Sequence, residues 1–505
     1  MSLNSTKREF AEATTTVSID EKNLVSSTSV KETSSLDDDE ATEEKKEGFF
    51  SKYGGILVGG SAFISDGFQQ GIPSIANVLL SAQYSTYTTS YKTMFSNSLL
   101  ISNIIGQVSF GFLADRLGRK PSFAFSTALI VIGSILCACA KSNSDVGLFW
   151  FLIIARGITG TGIGGEYPLS ATSAMETANE KIKSRKKLIP FILASNFPIS
   201  MGVPMACIAF LIVLAAVGGE HTKHKEAIWR TLFAIGAIIP LTIFFFRWKM
   251  HHAESYKNNA IKKNVPYWLA LKKYWREFAG TAGMWFLMDF ILYPNNIFSA
   301  SIITVAIPGA GIQKLGEWQL FLSSFGVFGT LIGCVLINYI SIRKLIICGF
   351  ILYGVLSFIV GGCFEIFSKH AAALIIFYAL MNLVLNAGVA NYQSIVSSAS
   401  FPTSIRGTAY GISAGIGKAG AAIGTSIFTP LQQKHGKKST FYLSGAVALI
   451  GAVVVYFGVP DYSDKDLDFL DEEFNDYLLA NGWNGEVGEF ENKRELVQEE
   501  EIDSN

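Results

Sequence analysis

Charged residues are scarce in this chain of 505 residues. Only 16% of its side chains are Asp, Glu, Lys or Arg, whereas 50% are hydrophobic and 13% are aromatic. A chain this apolar and this poor in charge is not typical of soluble, nucleic-acid-binding or disordered proteins. The composition therefore favours a protein that is embedded in a membrane.

The cysteine and histidine patterns of a metal site or a disulfide framework are also missing. The six cysteines lie inside apolar stretches, without a Cys-x-x-Cys pair or a nearby pair of histidines, and are interpreted as small hydrophobic residues. No nucleophile–base set is visible, so we expect neither an enzyme nor a bound metal or cofactor. The polar, acidic N-terminus lacks a signal-peptide pattern, which leaves targeting to the first apolar segment.

A formal net charge of zero conceals a strong segregation of charge. Residues 1–52 contain 7 basic and 12 acidic residues, and residues 461–505 contain 3 and 16. The middle of the chain therefore keeps 31 basic and 13 acidic residues, a net charge of +18. A basic apolar body between two acidic tails suits the anionic inner leaflet of a membrane.

Long apolar segments dominate that middle region. A helix needs about 20 mostly apolar residues to cross a bilayer, and twelve such segments, here called spans 1 to 12, are present. We expect an all-α membrane protein with twelve transmembrane helices in two six-helix halves. The predicted spans cover 53–80, 93–114, 121–141, 148–175, 188–217, 227–247, 278–308, 317–340, 345–367, 371–398, 407–430 and 439–459.

This count divides the chain into five predicted parts. They are a disordered N-terminal tail at 1–52, an N-terminal half at 53–247, a linker at 248–277, a C-terminal half at 278–460 and an acidic tail at 461–505. Loops on the side of the two tails carry 19 Lys and Arg, against 10 on the other side, which predicts that both termini are cytoplasmic.

The linker mixes basic and aromatic residues, a pattern found both in RNA-binding segments and in helices at a membrane surface. Beside a span, an interfacial helix is the favoured interpretation. The acidic tail is expected to contain a short amphipathic helix around Leu467 to Leu479.

The loop between spans 2 and 3 carries a specific motif. It reads Gly-Phe-Leu-Ala-Asp-Arg-Leu-Gly-Arg-Lys-Pro from Gly111 to Pro121. In a chain of twelve spans this string resembles the signature loop of the major facilitator superfamily, and a weaker echo follows span 8 at 341–344. The residues expected to act in conformational change are Gly111, Asp115, Arg116, Gly118 and Arg119.

Five charged residues fall inside the predicted spans: Asp66, Arg156, Glu166, Asp289 and Lys418. Together they would cost about 12 to 18 kcal/mol if they faced lipid, so we expect them to face a polar cavity or each other. For the two charges of span 4, a structural ion pair and a part in proton coupling both stay open. The three charges on spans 1, 7 and 11 favour a central path for substrate and protons.

Spans 4 and 7 add two further patterns. Residues 160–165 match Gly-x-Gly-x-x-Gly, but without a preceding strand they favour close packing of helices over a dinucleotide site. On span 7, Trp285, Asp289 and Tyr293 are spaced at i, i+4 and i+8, which aligns an indole, a carboxylate and a phenol on one face.

Several of these strings are similar to a particular family, the fungal phosphate:proton symporters and their branch of glycerophosphodiester permeases for glycerophosphoinositol and glycerophosphocholine. The likeness covers residues 53–460 and rests on the strings at 164–172, 285–293, 401–406 and 417–420. It implies that Tyr167, Trp285, Asp289 and Tyr293 line an anion site. It also implies that Asp66 lies on a proton path and that Lys418 supplies positive charge.

Departures from the phosphate carriers of this family imply a roomier cavity. Span 1 reads Asp66-Gly-Phe-Gln69, with one carboxylate fewer, and Asn196 replaces a longer Gln in span 5. An inositol head would use Asn196, Asn386 and Asn391 as hydrogen-bond partners, whereas a choline head would lie against Trp285 or Tyr293. The sequence leaves these two substrates open.

Together the residues and the resemblance predict proton-coupled import of glycerophosphodiesters across the plasma membrane by alternating access. Expected partners are the phosphodiester anion, protons and the lipid bilayer, without nucleic acid, and the chain is expected to be a monomer. Inorganic phosphate import is the alternative within the same class. A sugar carrier and a nutrient sensor without transport are the others.

Overall fold

The computed structural model describes residues 49–182, 187–248, 261, 265–307, 309–461 and 467–483. Within these ranges the chain is helical and contains no strand. The helices that form the spans are Phe49–Gly60 and Ala62–Gln83 (span 1), Thr89–Arg116 (2), Arg119–Ala138 (3), Asp145–Lys181 (4), Leu188–Ala194 and Asn196–Ala216 (5), Lys225–Trp248 (6), Tyr267–Ala306 (7), Ile312–Leu336 (8), Ile342–Gly362 (9), Ala371–Leu385, Asn386–Ala390 and Asn391–Ala399 (10), Arg406–His435 (11) and Lys438–Gly458 (12). Short helices at Gly219–His221 and Phe364–Phe367 lie in loops, and Leu467–Ala480 follows span 12.

The prediction of an all-α protein with twelve spans is confirmed. In the described part of the chain, nine of the spans are long and apolar enough to cross a membrane by composition alone. The other three are spans 1, 7 and 11, the ones that carry Asp66, Asp289 and Lys418.

Some helix boundaries differ from the predicted ones. Span 7 begins at Tyr267 instead of 278, because the helix of the linker runs into it with a break at Tyr274 (φ −107°, ψ 19°). Span 10 contains a π-helical segment at Asn386–Ala390, which periodicity alone does not reveal. Predictions for the tail at 1–48, for linker residues 249–260 and 262–264, and for 462–466 and 484–505 lie outside the described residues.

The two halves repeat the same packing. Span 1 packs on span 5 and span 2 on span 4, and the equivalent contacts six spans later join spans 7 and 11 and spans 8 and 10. The halves meet where span 2 contacts span 11 and where span 5 contacts span 8. These two contacts are equivalent if each span is shifted by six, as expected for related repeats.

Because successive spans cross in opposite directions, the loops after spans 2, 4, 6, 8 and 10 share one face of the bundle with the start of span 1 and the end of span 12. We call it the terminal face, and the other the opposite face. At the terminal face the helix Leu467–Ala480 buries Leu470, Phe474 and Leu478. Two of these, Phe474 and Leu478, share a small core with linker and loop residues, among them Tyr274 and Phe401.

Candidate functional site

A buried ion pair lies at the centre of the bundle. Lys418 Nζ on span 11 donates a hydrogen bond to Asp289 Oδ2 on span 7 over 2.8 Å, and both side chains are 1% exposed. Span 11 reaches this position because its glycines allow close contact: a Cβ on Gly420 would overlap the Phe286 carbonyl oxygen of span 7. The two charges that sequence placed on separate spans therefore meet directly.

Three aromatic rings surround the Lys418 ammonium group. Its Nζ lies 4.5 Å from the ring centroid of Tyr293, 4.9 Å from that of Tyr167 and 5.6 Å from that of Trp285. The Trp285 indole packs edge-on against Tyr167 and donates to Ser397 Oγ over 2.7 Å. The face predicted for span 7 thus encloses a cation together with a tyrosine from the other half.

Asp66 joins this group through Gln70, one turn further along span 1. Gln70 Nε2 donates to Asp66 Oδ2 over 2.7 Å and contacts the Tyr167 hydroxyl at 3.4 Å. Asp66 is fully buried, so its second carboxylate oxygen is also shielded from solvent. Spans 1, 4, 7 and 11 consequently bring two carboxylates and one ammonium group together around Tyr167.

A cavity opens beside this cluster, and the space between its walls, including the part open to solvent, is about 990 Å³. Both halves contribute, and most of the wall comes from the C-terminal half. The predicted residues that line it are Tyr167, Asn196, Asp289, Tyr293, Asn386 and Lys418.

The three predicted asparagines occupy different positions. Asn196 Nδ2 donates to Asn391 Oδ1 over 2.6 Å and to Thr330 Oγ1 over 3.0 Å, which ties span 5 to spans 8 and 10. Asn391 is fully buried behind Asn196 and is not part of the cavity wall. Asn386 lines the wall and donates to Asn382 one turn earlier.

Neither charge of span 4 lines the cavity. Ten residues of one helix separate Arg156 from Glu166 by about 15 Å, too far for an ion pair. Arg156 instead donates to the Gln69 side chain over 2.9 Å and to its carbonyl over 3.1 Å. Because Gln69 also reaches Ser134 of span 3, this arginine fastens spans 1, 3 and 4 together.

Several residues of the cavity wall were not predicted from the sequence. Gln70, Asn296, Gln319 and Asn382 all line the cavity. The available signal was helical spacing: Asn382 and Asn386 are four residues apart, and Asn296 follows Tyr293 by three, so each pair shares a face. Neutral polar residues in apolar spans carry a weaker signal than charges, because their burial costs less.

The signature loop connects three spans at the terminal face. Asp115 at the end of span 2 accepts hydrogen bonds from the backbone N–H of Gly407 (3.1 Å) and of Thr408 (2.7 Å). These are the first N–H groups of span 11, which a carboxylate satisfies as a helix cap. Gly118 adopts φ 91°, a conformation that favours glycine, and the turn brings Arg119 close to Asp115 (3.8 Å).

A second set of charges extends this connection to span 4. Glu176 Oε1 accepts from Arg119 over 2.7 Å and lies 3.4 Å from Arg406 at the start of span 11. All three side chains are at most 5% exposed. Arg116, the remaining charge of the motif, stacks over the Phe112 ring at 4.1 Å. At the terminal face, spans 2, 4 and 11 are therefore joined by buried charges from both halves.

Comparison with known proteins agrees with this architecture. Residues 49–474 match the family described as sugar (and other) transporter. The chain is 42% identical over 447 residues to Glycerophosphoinositol permease 1 of Candida albicans, which covers 87% of this chain and 85% of the relative. It is 39% identical over 468 residues to Glycerophosphoinositol transporter 1 of Saccharomyces cerevisiae, covering 92% and 90%.

Among solved structures, the proton:xylose symporter XylE of E. coli superposes with a TM-score of 0.70 at 16% identity, over 83% of this chain and 99% of that one. At that identity the likeness concerns the fold alone. The matched family and the two close relatives are transporters, as is expected from twelve spans around a central polar cavity. The chain therefore belongs to the sugar (and other) transporter family of the major facilitator superfamily and is a multi-pass membrane transporter, not an enzyme.

Proposed function

We propose that this protein imports glycerophosphodiesters together with protons across the plasma membrane, by alternating access and with both termini in the cytoplasm. The observation that carries the proposal is the buried pair of Lys418 and Asp289 beside the central cavity. The two fungal relatives named above are, by their names, carriers of glycerophosphoinositol. The charge asymmetry of the loops supports the orientation.

Charge balance gives the reason for proton coupling. With Asp66 and Asp289 ionised and Lys418 protonated, the cluster carries a net charge of −1. A phosphodiester anion that binds beside the cluster would make the net charge −2 in a poorly solvated site, which is unfavourable. Uptake of a proton by one carboxylate offsets the second negative charge, so we expect anion binding and proton binding to favour each other.

The proposed cycle uses the contacts between the halves. From the opposite face, which we assign to the outside, protons reach Asp66 and Asp289, and the phosphodiester binds with its anionic group near Lys418, Tyr167 and Tyr293. The halves then rock about the cluster. To open at the terminal face, the protein must separate span 11 from the buried carboxylates of spans 2 and 4 that bind its first residues.

The test is uptake in cells that lack their own glycerophosphodiester carriers and in proteoliposomes with an imposed pH gradient. Labelled glycerophosphoinositol should accumulate in the wild type when the outside is acidic, and accumulation should collapse when a protonophore is added. We expect Asp289→Asn to abolish this gradient-driven accumulation. Full pH-dependent accumulation by that variant would refute the coupling role of Asp289.

Competition separates phosphodiester import from inorganic phosphate import. Excess unlabelled glycerophosphoinositol or glycerophosphocholine should suppress uptake of the labelled phosphodiester, whereas the same excess of inorganic phosphate should have little effect. Uptake of labelled inorganic phosphate, but not of the labelled phosphodiester, would instead identify a phosphate carrier.

A further inference from the structure

The central cavity has two chemically different ends. The end described above contains the ionised groups around Lys418. The other end contains neutral amides on spans 7, 8 and 10, of which only Asn386 was considered for substrate binding from the sequence. We call Asn296, Gln319, Asn382 and Asn386 the amide layer; all four line the cavity.

The directions of the spans fix where this layer lies. Span 7 runs from the terminal face to the opposite face, so Asn296 lies beyond Asp289 toward the opposite face by about 10 Å, at 1.5 Å per residue. Spans 8 and 10 run the other way, so Gln319 in the first third of span 8 and Asn382 before the middle of span 10 also lie toward the opposite face. Asn386, near the middle of span 10, forms the edge of the layer nearest the Lys418 pair.

Part of the hydrogen-bonding capacity of this layer is already used by the protein. Asn382 Nδ2 donates to the Leu322 carbonyl over 3.0 Å, and its Oδ1 accepts from Asn386 Nδ2 over 3.0 Å. Gln319 Oε1 accepts from Ser299 Oγ over 2.7 Å. These bonds hold the amides in place.

The rest of the capacity is available to a ligand. Within the described part of the chain, Gln319 Nε2, Asn386 Oδ1 and both polar atoms of the Asn296 side chain form no hydrogen bond. They present donors and acceptors side by side. A hydroxyl group can donate and accept, so a ring of hydroxyls can pair with both kinds of atom.

A trimethylammonium group has no such use for the layer. It neither donates nor accepts hydrogen bonds, and it is recognised by aromatic faces or by carboxylates. The carboxylate that lines the cavity, Asp289, is occupied by Lys418. Two further tyrosines, Tyr353 and Tyr378, line the cavity, and both of their hydroxyls bond to Asn295, so they add no free donor or acceptor to the layer.

We propose that the amide layer is the subsite for the alcohol of the phosphodiester, and that it selects a polyol head such as inositol over choline. The inference rests on the proposed function, because it requires the phosphate to bind near Lys418. With the phosphate there, the head extends toward the opposite face, where its hydroxyls contact Asn296, Gln319 and Asn386. Losing these contacts weakens binding of the polyol substrate and leaves the choline substrate nearly unaffected.

The experiment compares kcat/KM for labelled glycerophosphoinositol and glycerophosphocholine in the wild type and in Asn296→Leu and Gln319→Leu. We expect the wild type to have the higher kcat/KM for glycerophosphoinositol. Each variant should reduce the ratio of kcat/KM for glycerophosphoinositol to kcat/KM for glycerophosphocholine by roughly tenfold, because one hydrogen bond is lost and its partner group is left unpaired. Asn338→Leu is the matched control, since among the described residues this exposed amide at the end of span 8 bonds only to its own helix. Its ratio should equal that of the wild type.

The outcomes separate this inference from the function on which it rests. If neither phosphodiester is carried by the wild type, the proposed function fails. If both are carried but the ratio is equal in wild type and variants, or if the wild type favours the choline compound, the polyol subsite is refuted and the function survives. As a check that does not depend on transport, glycerophosphoinositol should raise the Tm of the purified wild type more than that of Asn296→Ala.

Discussion

The Lys418–Asp289 pair concentrates two opposite charges at a position that is 1% exposed. Replacing one partner leaves the other as an unpaired buried charge, which costs about 3 to 5 kcal/mol, whereas replacing both is often neutral. We therefore expect Lys418→Met and Asp289→Asn each to lower the Tm of the purified protein, and the double variant to recover most of the loss. Transport should be absent from all three.

This comparison distinguishes a structural ion pair from a functional one, and it is measured by thermal unfolding in detergent together with uptake in cells. If the double variant regains transport as well as stability, the pair only holds spans 7 and 11 together. If it regains stability alone, the charges themselves are needed for transport.

The sequence could identify the charged residues of the site, but not the direction in which each side chain points from its helix. Adjacent glutamines of span 1 illustrate the difficulty. Gln70 turns to Asp66 and lines the cavity, whereas Gln69 turns about 100° away to bind Arg156. Both have the same chemistry, and only the positions of the neighbouring spans decide which one belongs to the site. For the same reason the sequence could not show that Arg156 binds Gln69, and its part in proton coupling stays a prediction.

Among the elements, the helix Leu467–Ala480 is attached to the loop that precedes span 11. The Asp471 carboxylate accepts from the Thr403 backbone N–H (2.5 Å) and from its hydroxyl (2.6 Å), three residues before Arg406. A buried N–H without an acceptor costs about 1 to 3 kcal/mol. We expect Asp471→Ala to release the helix, detected as faster limited proteolysis after residue 461, and Glu472→Ala on the exposed side to have no effect.

The same attachment should depend on pH. Burial raises the pKa of the Asp471 carboxyl above its ordinary value of 3.8, with Arg406 and Thr403 opposing the shift. The docked helix therefore binds a proton more tightly than a free tail, so docking strengthens as the pH falls toward the raised pKa and weakens as the pH rises through it. The cleavage rate relative to Asp471→Asn should be lower at pH 5 than at pH 7.5, and a constant ratio would contradict this.

Close packing of spans 2 and 11 depends on glycine at particular positions. A Cβ on Gly411 would overlap the Gln107 carbonyl oxygen, whereas a Cβ on Gly415 would contact a Val108 methyl group at 3.2 Å. Backbone cannot move aside as a side chain can, so we expect Gly411→Ala to cost about 1 to 3 kcal/mol and to separate the two spans. Gly415→Ala is the control, and equal Tm values for both variants would show that the contact is not restrictive.

The sequence predicted the number of spans but not the irregular segments inside them. Apolar length predicted all twelve spans, because crossing a bilayer imposes a minimum number of apolar residues. The break at Tyr274 and the π-helical segment at Asn386–Ala390 were not predictable in this way. Both depend on which neighbour a span meets, and hydropathy does not record that.

At the scale of the whole molecule, the halves touch along two equivalent contacts, span 2 with span 11 and span 5 with span 8. Along the first contact, Asp115 binds the start of span 11 near the terminal face, and Asn97 Nδ2 donates to Ser426 Oγ over 3.0 Å nearer the opposite face. Alternating access requires these two ends of the contact to open in turn. If the halves rock as rigid bodies, fixing either end must stop the cycle.

Cross-linking tests this requirement. In a background with the exposed Cys139 and Cys348 replaced by serine, Thr93→Cys with Thr429→Cys places two thiols at a contact near the opposite face, where the threonine hydroxyls lie 3.4 Å apart. We expect a disulfide or a short thiol-reactive linker between them to abolish uptake, and a reductant to restore it where a disulfide has formed. Each single cysteine variant, treated alike, should transport normally. Full uptake by the cross-linked protein would contradict rocking of the halves, because substrate would then cross without the span 2–span 11 contact opening.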